Sequence, residues 1–287
     1  MGNSKLIALI IIVATSLFAC NNDDSTNGTK GKLSIQLTDA PFPTDIVEKA
    51  NVTINKIEIR KSGETEGDKF TILSEEEKTF NLLDLTNGIT ASLVDLEIET
   101  GSYDLIRLYV TTASIKIKNI EQEFELKVPS GSQTGIKIFI DPSIEVKGGL
   151  TSELLLDFVV SKSFILQGNT NSPAGIKGFS FKPVIKASNL STTGRLTGNV
   201  YDAEDAAIEG AQVSIIAADT VYTTSFTDEN GEYALLGVDA GTYKVTYEKA
   251  GFELVTEEEV EIAAANATEK NIQLTAVATT EETTTEE

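Results

Sequence analysis

The feature that most constrains the fold is an alternation of apolar and polar residues that recurs along most of the chain. In LSIQL the residues Leu33, Ile35 and Leu37 share one face, and in SIKIKNI the apolar Ile115 and Ile117 alternate with lysines. Because successive side chains of a strand point to opposite faces of its sheet, this period predicts half-buried β-strands. Gly, Pro and Asn separate these segments at short intervals, as in sandwiches and barrels. The sequence therefore predicts an all-β fold.

One segment, NVTINKIEIR, changes its parity partway along. Val52 and Ile54 share one face, whereas Ile57 and Ile59 share the other. A slip of one residue within a strand is what a β-bulge produces, so we predict a bulge near Asn55–Lys56.

Two further segments depart from simple alternation. SELLLDFVV, residues 152–160, is apolar on both faces at several positions, which is typical of a strand in the middle of a sandwich. TNGITASLVDL, residues 86–96, indicates a short helix or an irregular turn.

Composition removes many kinds of chemistry. The chain has no His and one Cys, so the common zinc sites, Ser-His-Asp triads, intramolecular disulfides and Cys-x-x-Cys pairs are all excluded. With 44 acidic and 23 basic residues, the net charge of −21 repels nucleic acid and anionic lipid surfaces. Neutral ligands, cations and proteins with basic patches remain as partners, although the charge could simply keep an exported protein soluble. We predict no catalytic residue, no metal ligand and no cofactor.

The start of the chain has the pattern of a signal peptide. Lys5 precedes an apolar run from Leu6 to Ala19, which is too short to span a bilayer comfortably. The run ends in Leu17-Phe18-Ala19-Cys20, which resembles the lipobox of bacterial lipoproteins. That resemblance implies cleavage after residue 19 and acylation of Cys20, whose several acyl chains would anchor the protein to a membrane. A buried core helix is the alternative reading of the apolar run.

Both ends of the predicted mature chain are polar. Residues 20–30 are expected to form the acylated cysteine and a flexible tether, and residues 276–287 a disordered acidic tail. Asn21-Asn22-Asp23-Asp24 resembles the acidic export signals of Bacteroidota surface lipoproteins. This resemblance implies attachment to the outer membrane, on its surface-exposed or its periplasmic side.

A break in composition at NLSTTG divides the rest of the chain into two predicted β-sandwich domains. They cover residues 31–188 and 194–275, with residues 189–193 as a linker, and each is long enough to bury a core of its own. LEIETGSYDL at 96–105 and LGVDAGTYKV at 236–245 share the pattern L-x-[IV]-[ED]-x-G-[ST]-Y-x-[LV]. This echo predicts that both domains contain the same chain reversal at a glycine, followed by a strand.

The second predicted domain contains TDENGEYALLGV, which could be a tight turn or the start of a calcium loop. Asn230-Gly231 between alternating segments indicates a hairpin. A calcium loop beginning at Asp228 would need further acidic ligands and a final bidentate Glu, but an apolar strand follows instead. Together with GRLTGNVYDAEDAAIEGAQVSI and AGTYKVTYEKAGF, the segment resembles the carboxypeptidase regulatory-like domain, a small transthyretin-like sandwich of the carbohydrate-binding-like fold group. That resemblance implies a T-D-x-N-G-x-Y hairpin turn and imports no peptidase chemistry.

Tyr243 and Tyr247 could stack on sugars from an exposed face or could cover the hydrophobic face of the sheet. The absence of Trp weakens the first alternative.

The first predicted domain contains GKLSIQLTDAPF, NVTINKIEI, GSYDLIRLYV and ELLLDFVVSKSF, which together resemble an exported bacterial family of unknown function with an L-T-D-A-P motif. Asp39 of this motif could be a ligand, or the Asp39-Ala40-Pro41 segment could simply begin a turn. Arg107 faces solvent if Ile106 and its alternate neighbours face the core. In the opposite register it needs Asp104 or Asp157 as a partner.

The sequence thus favours a non-enzymatic, lipid-anchored protein of the cell envelope that presents two β-sandwiches for binding or adhesion. Its expected partners are the membrane, through the lipid anchor, and a glycan or another envelope protein. A carbohydrate-binding accessory lipoprotein is the alternative, which rests on analogy with the fold group. A hydrolase that uses paired carboxylates is the third hypothesis, although no sequence feature selects a pair.

Overall fold

A computed structural model describes residues 28–39, 46–65, 69–128, 133–168 and 175–277. The predicted signal peptide, Cys20, most of the tether, Ala40-Pro41 and residues 278–287 of the predicted tail lie outside these ranges. Within them, no helix combines the length and the apolar character that crossing a membrane requires.

The described residues form strands almost throughout. The strands are β1 (Lys30–Thr38), β2 (Val47–Lys61), β3 (Thr71–Ser74), β4 (Lys78–Asn81), β5 (Ala91–Glu99), β6 (Gly101–Ile117), β7 (Glu123–Leu126), β8 (Ile136–Val146), β9 (Thr151–Phe158), β10 (Phe164–Gly168), β11 (Ile176–Phe181), β12 (Ile185–Asn189), β13 (Thr193–Tyr201), β14 (Gln212–Ala217), β15 (Thr220–Phe226), β16 (Glu232–Asp239), β17 (Gly241–Glu248), β18 (Val255–Ile262), β19 (Ala267–Glu269) and β20 (Ile272–Gln273). One 3₁₀ turn (Leu82–Leu85) and one short helix, α1 (Val160–Ser163), interrupt them. The all-β fold class is therefore confirmed.

The first domain packs two sheets around one core. One sheet has the order β12-β9-β1-β5, and the other has the order β3-β2-β6-β7, with β4 beside β2 and β8 beside β6. Strands β10 and β11 form a separate antiparallel pair. Strand β1 pairs with β9 in parallel, although more than a hundred residues separate them along the chain. The apolar faces of both sheets meet in a single buried cluster.

The second domain has its own two sheets and its own core. Strands β16, β13, β19 and β20 form one sheet, and the other has the order β15-β14-β17-β18. The buried cluster between them is distinct from that of the first domain.

The predicted faces and the predicted bulge are confirmed. Leu33, Ile35 and Leu37 are fully buried, as the alternation of LSIQL requires. In β2, Ile54 pairs with Val110 and Lys56 pairs with Tyr109, so Asn55 is the extra residue of a bulge. This extra residue turns the second apolar pair of β2 back toward the core, where Ile57 and Ile59 join the same cluster as Val52 and Ile54.

Residues 86–96 were predicted to form a short helix or an irregular turn. The irregular turn is found and the helix is not. Residues 86–90 form the turn, whereas β5 begins at Ala91 and pairs with β1. The helix prediction is wrong because the alternation of β5 starts within the segment and tertiary pairing decides its state.

The internal echo corresponds to the same structural device in both domains. Glu99 ends β5 and Asp239 ends β16, and in each domain the next strand lies in the opposite sheet. Tyr103 Oη donates a hydrogen bond of 2.8 Å to the carbonyl of Glu99, and Tyr243 Oη donates one of 2.9 Å to the carbonyl of Asp239. Each tyrosine thus ties its strand to the residue four positions earlier, as tyrosine corners do in other sandwiches. Gly101 has a φ of +148°.

The segment from Asp228 to Glu232 is a tight turn. Gly231 N–H donates to the Asp228 carbonyl at 3.0 Å, and Asp228 Oδ1 accepts from the N–H groups of Asn230 and Glu232, both at 2.9 Å. The turn prediction is confirmed, but the hairpin prediction is wrong. Strand β15 pairs with β14 and β16 pairs with β13, so the turn carries the chain from one sheet to the other.

Replacing Gly231 with Ala should destabilise the protein more than the same change at Gly251. Both glycines have positive φ angles, +74° and +88°. A Cβ at Gly231 would lie 2.4 Å from the Val200 carbonyl oxygen, whereas a Cβ at Gly251 would meet nothing within 4 Å. We expect a loss of about 1–2 kcal/mol at Gly251 from backbone strain, and about 1–3 kcal/mol more at Gly231 from the clash. Chemical denaturation of the two variants measures the difference, and equal losses would show that the clash relaxes freely.

Candidate functional site: the junction between the domains

The second domain covers the outer face of the β12-β9-β1-β5 sheet. Leu155 of β9 is 1% exposed although it points away from the core of its own domain. A Cβ at Gly237 of β16 would lie 3.2 Å from Leu155 Cδ2 and 3.0 Å from Ser188 Cβ, so the backbone of β16 approaches β9 and β12 closely. Ser188 Oγ also donates a hydrogen bond of 3.2 Å to the Gly237 carbonyl. This contact explains why SELLLDFVV is apolar on both faces.

One side-chain amide of the first domain pairs with the edge of β16. Asn87 Nδ2 donates to the Glu232 carbonyl at 3.0 Å, and Asn87 Oδ1 accepts from Ala234 N–H at 2.6 Å. Ser225 Oγ donates to the same oxygen at 3.2 Å. The amide thereby does what a neighbouring strand would do at this sheet edge, where unpaired N–H and C=O groups are otherwise exposed. Asn87 reaches this position with a φ of +55°, which Asn tolerates better than most residues.

Two carboxylates lie side by side at the end of the parallel strands. The register places Thr38 of β1 beside Asp157 of β9, and Asp39 follows Thr38 directly. On the other side of β9, Lys186 of β12 lies opposite Asp157 in the antiparallel register. Asp39 and Asp157 line one small cavity of about 20 Å³, together with residues from both domains.

Asp39 is the most deeply buried of these acids, with 4% of its surface exposed. Its Oδ1 accepts a hydrogen bond of 3.0 Å from Val160 N–H, while Oδ2 is buried without a hydrogen-bond partner in the part of the chain that the structure describes. Burial raises the pKa of Asp39 well above its usual value, the Val160 hydrogen bond opposes this shift, and the charge of Asp157 adds to it. The two carboxyl groups are therefore electrostatically coupled.

Lys186, a basic residue of β12, contacts two residues of the second domain, Tyr222 and Asp239. Lys186 Nζ lies 4.1 Å from the centre of the Tyr222 ring and 3.9 Å from Asp239 Oδ2, and it donates a hydrogen bond to Tyr222 Oη. Tyr222 Oη in turn donates to Asp239 Oδ2 at 2.6 Å. Desolvation lowers the pKa of Lys186, although the charges of Asp239 and Asp157 counteract this effect. Burial also raises the pKa of Tyr222 above its usual range, so the hydroxyl stays protonated.

An open cleft runs beside this cluster, between α1 and β12 of the first domain and β15 and β16 of the second. We call it the interdomain cleft; its volume is about 320 Å³. Val184 and Val221 line it with 37% and 59% of their surfaces exposed, next to Lys186 and Tyr222. Around the turn that carries Asn87, a second space of about 710 Å³ is lined largely by hydroxyl and amide side chains.

The residues that the sequence singled out lie mostly away from the junction. Tyr247 is fully buried and Tyr243 packs against the same core, so both cover the hydrophobic face of their sheet. Arg107 lies on the outer face of β6, as the simpler alternative predicts. It is half-buried, because its guanidinium lies 3.9 Å from the centre of the Phe70 ring. Asp104, once considered as its partner, binds Arg60 instead, at 2.9 and 3.0 Å.

Asp39 was predicted either to bind a ligand or to begin a turn. Its side chain is buried and accepts a hydrogen bond from Val160 N–H, while Ala40-Pro41 of the predicted turn lie outside the described residues. Cys20 lies outside the described residues, so lipid attachment stays a prediction. Sequence reasoning missed Asn87, Lys186 and Tyr222 altogether. Two signals were available in SELLLDFVV: it is apolar on both faces, and Asp157 is a charged residue within it.

Among the described residues, no group of three or more Asp, Glu, His or Cys side chains converges in a way that could hold a metal ion. Asp228, the residue of the candidate calcium loop, uses its Oδ1 to hold the backbone of its own turn.

The fold and the junction define an all-β protein that joins two sandwich domains in tandem. Residues 30–183 match the family described as Domain of unknown function (DUF4382), and the chain belongs to that family. Residues 195–275 match the Carboxypeptidase regulatory-like domain. The resemblances seen in the sequences of the two domains are thereby confirmed. No curated protein is a significant match to the chain.

Solved structures show only distant similarity. The type II cohesin–X-dockerin complex of Acetivibrio cellulolyticus matches with 23% identity over 29% of this chain and 58% of that chain, at a TM-score of 0.25. The shaft pilin SpaA of Lactobacillus rhamnosus GG matches with 12% identity over 88% and 100%, at a TM-score of 0.28. The major pilin subunit BcpA of Bacillus cereus matches with 13% identity over 86% and 100%, at a TM-score of 0.24. The chain thus spans 58% of the length of the first of these, and similarity this low carries no argument about function.

Replacing Asn87 with Ala should weaken the junction. The change removes the hydrogen bonds to Glu232 and Ala234 and leaves their backbone groups without this partner, so we expect a loss of about 1–4 kcal/mol in unfolding free energy. Asn119→Ala is the matched control, because Asn119 has a similar φ of +64° on an exposed turn. Chemical denaturation of the full chain compares the two variants. A loss no larger at Asn87 than at Asn119 would mean that the cross-domain bonds add nothing.

Proposed function

We propose that the protein is a non-enzymatic, lipid-anchored protein of the cell envelope that binds its partner at the interdomain cleft. Ligand sites occur preferentially where domains meet, and a volume of about 320 Å³ lies within the range of small-ligand clefts. The cleft combines exposed apolar side chains with a cation and a hydroxyl, which suits the recognition of a mixed polar and apolar surface. Contacts of Leu155 and Asn87 hold the two domains together around it.

One observation carries the choice of binding over catalysis: Asp39, one of the two neighbouring carboxylates, is closed off from substrate, and only Asp157 borders the interdomain cleft. Asp39 is 4% exposed, and the cavity that it shares with Asp157 measures about 20 Å³, which is room for one water molecule or ion and not for a sugar. A hydrolase with paired carboxylates needs both groups on either side of a scissile bond. The basic group that does face the cleft, Lys186, is held by Tyr222 and Asp239.

Glycan binding stays an alternative within this proposal. The aromatic residues first considered for it, Tyr243 and Tyr247, belong to the core of the second domain. Tyr222 is the aromatic residue beside the cleft, but Lys186 already lies over its ring. We therefore favour another protein of the envelope as the partner, with apolar side chains opposite Val184 and Val221.

The membrane anchor and the partner can be tested in sequence. The Cys20→Ala variant should lose acylation and move from the detergent-dependent membrane fraction to the soluble fraction. The released protein then serves as the probe for a glycan array and for crosslinking to an envelope extract. We expect specific crosslinking to a protein, without turnover of any glycan. A variant that still needs detergent would contradict the anchor, and hydrolysis of a bound glycan would contradict a non-enzymatic role.

Two further substitutions locate the binding site. Val221→Asp places a charge in the interdomain cleft, whereas Val277→Asp makes the same change at a residue of similar exposure outside it, 59% against 53%. Burying an unpaired carboxylate at an interface typically costs several kcal/mol, so partner capture should fall by about tenfold or more in the first variant and stay unchanged in the second. Equal capture by both variants would place the partner elsewhere.

A further inference from the structure

Asp39 is buried beneath the second domain, and one of its carboxylate oxygens lacks a hydrogen bond. The residue is 4% exposed, its Oδ1 accepts the Val160 N–H at 3.0 Å, and its Oδ2 has no hydrogen-bond partner among the described residues. On the side of the second domain, the cavity that it borders is lined by residues 223–225 of β15 and 234–236 of β16. The joined arrangement of the domains thus contributes to keeping water away from this carboxyl group.

The cost of this burial depends on whether Asp39 carries a proton. An ionised carboxylate is far more costly to remove from water than a neutral carboxylic acid, and one backbone N–H offsets only part of that cost. Residues 223–225 and 234–236 carry no charged side chain that could offset the rest. The neutral acid therefore suits the closed junction, whereas the ionised form suits an arrangement in which water reaches the group.

The charged surroundings of Asp39 reinforce the effect of burial. The elements around it carry the titratable residues Asp84 of the 3₁₀ turn, Glu153 and Asp157 of β9, Lys162 of α1, Lys186 of β12, Tyr222 of β15, and Glu232, Tyr233 and Asp239 of β16. Of these, Asp157 is the residue whose charge acts on Asp39, and it raises the pKa of Asp39 further. Lys186 lies opposite Asp157 in the register, and its ammonium group also contacts Tyr222 and Asp239.

We propose that Asp39 is a pH switch of the domain junction: its neutral form holds the two sandwiches together, and its ionisation loosens them. The two sandwiches stay folded in this process, because each has a buried core of its own. What changes is the equilibrium between the closed junction and an arrangement in which Asp39 is hydrated.

The direction of the pH dependence follows from the proton that the closed junction retains. Burial raises the pKa of Asp39 in the closed junction, whereas a hydrated aspartate has a pKa of about 3.9. Below the lower of these two values the group is neutral in both arrangements, and its stabilisation of the closed junction is fully present. Between them the closed junction holds more protons, so this stabilisation is lost as the pH rises through the raised value.

The switch would also act on the interdomain cleft, since the cleft lies between α1 and β12 of the first domain and β15 and β16 of the second. Control of partner binding by pH rests on the proposed function. The opening of the junction does not, and it can be measured without any partner.

Amide hydrogen exchange in the full chain tests the proposal, with Cys20→Ala present so that no lipid is attached. The Ala234 N–H donates across the junction to Asn87 Oδ1 and reports on opening, whereas residues 213–215 of β14 pair on both sides within the second domain and report on its folding. Each rate is divided by the rate of an unstructured amide at the same pH. From about pH 4 upward, protection of Ala234 should fall about tenfold per pH unit until Asp39 is ionised, while residues 213–215 keep their protection.

Asp39→Asn keeps the shape of the side chain and cannot ionise, so protection of Ala234 should no longer depend on pH. Asp219→Asn is the matched control, because it makes the same change on an exposed turn with a φ of +60°, which Asn tolerates. This control should retain the pH dependence of the wild type.

The titration of Asp39 itself provides a measurement that needs no variant. The chemical shift of its carboxyl carbon in the wild type should titrate well above the usual range, and protection of Ala234 should level off at the same pH. The proposal is overturned if protection of Ala234 does not change with pH in the wild type, if Asp39 titrates in the usual range, or if Asp39→Asn retains the dependence. Loss of the dependence in Asp219→Asn would also contradict it.

Discussion

The junction between the domains depends on the parallel pairing of β1 with β9. This pairing brings together segments more than a hundred residues apart and places Thr38 beside Asp157. Asp39 then lies at the end of β1, where its carboxylate reaches the N–H of Val160. Because β12 pairs with the other edge of β9, Lys186 and Ser188 take their places on the same outer face. A slip of one residue in this register would turn Leu155 inward and expose the core residues.

Because the second domain covers the outer face of the first, the short connection between them is a tight turn and not a flexible linker. Leu190 N–H donates to the Glu153 carbonyl and Thr192 N–H donates to the Asn189 carbonyl, so residues 190–192 form a tight turn between β12 and β13. A flexible linker would let each sandwich move independently. Here the turn, the Leu155 contact and the Asn87 amide hold the same two surfaces together. The edge strand β16, which could otherwise pair with another chain, is covered as a consequence.

The sequence predicts local structure well and long-range structure poorly, for a physical reason. A period of two assigns Leu33, Ile35 and Leu37 to one face, and the parity change of β2 locates its bulge, because both depend only on neighbouring residues. The Asp228–Glu232 turn is also local, but whether it closes a hairpin depends on the partners of β15 and β16. The pairing of β1 with β9 and the hydrogen bonds of Asn87 with β16 produce no periodic pattern in the sequence. The junction could therefore be anticipated only from β9, which is apolar on both faces and carries the charge of Asp157.

The electrostatics of the junction argue that it does more than join two domains. An apolar side chain at Asp39 would fill the same space without desolvating a charge, and replacing buried ion clusters by apolar residues is often neutral or stabilising. A carboxylate oxygen such as Asp39 Oδ2, which is buried without a hydrogen bond from any described residue, therefore weakens the structure unless something compensates it. Strongly perturbed acids of this kind are concentrated at functional sites. Because this one lies under the face that the second domain covers, any change in its charge acts on both sandwiches and on the cleft between them.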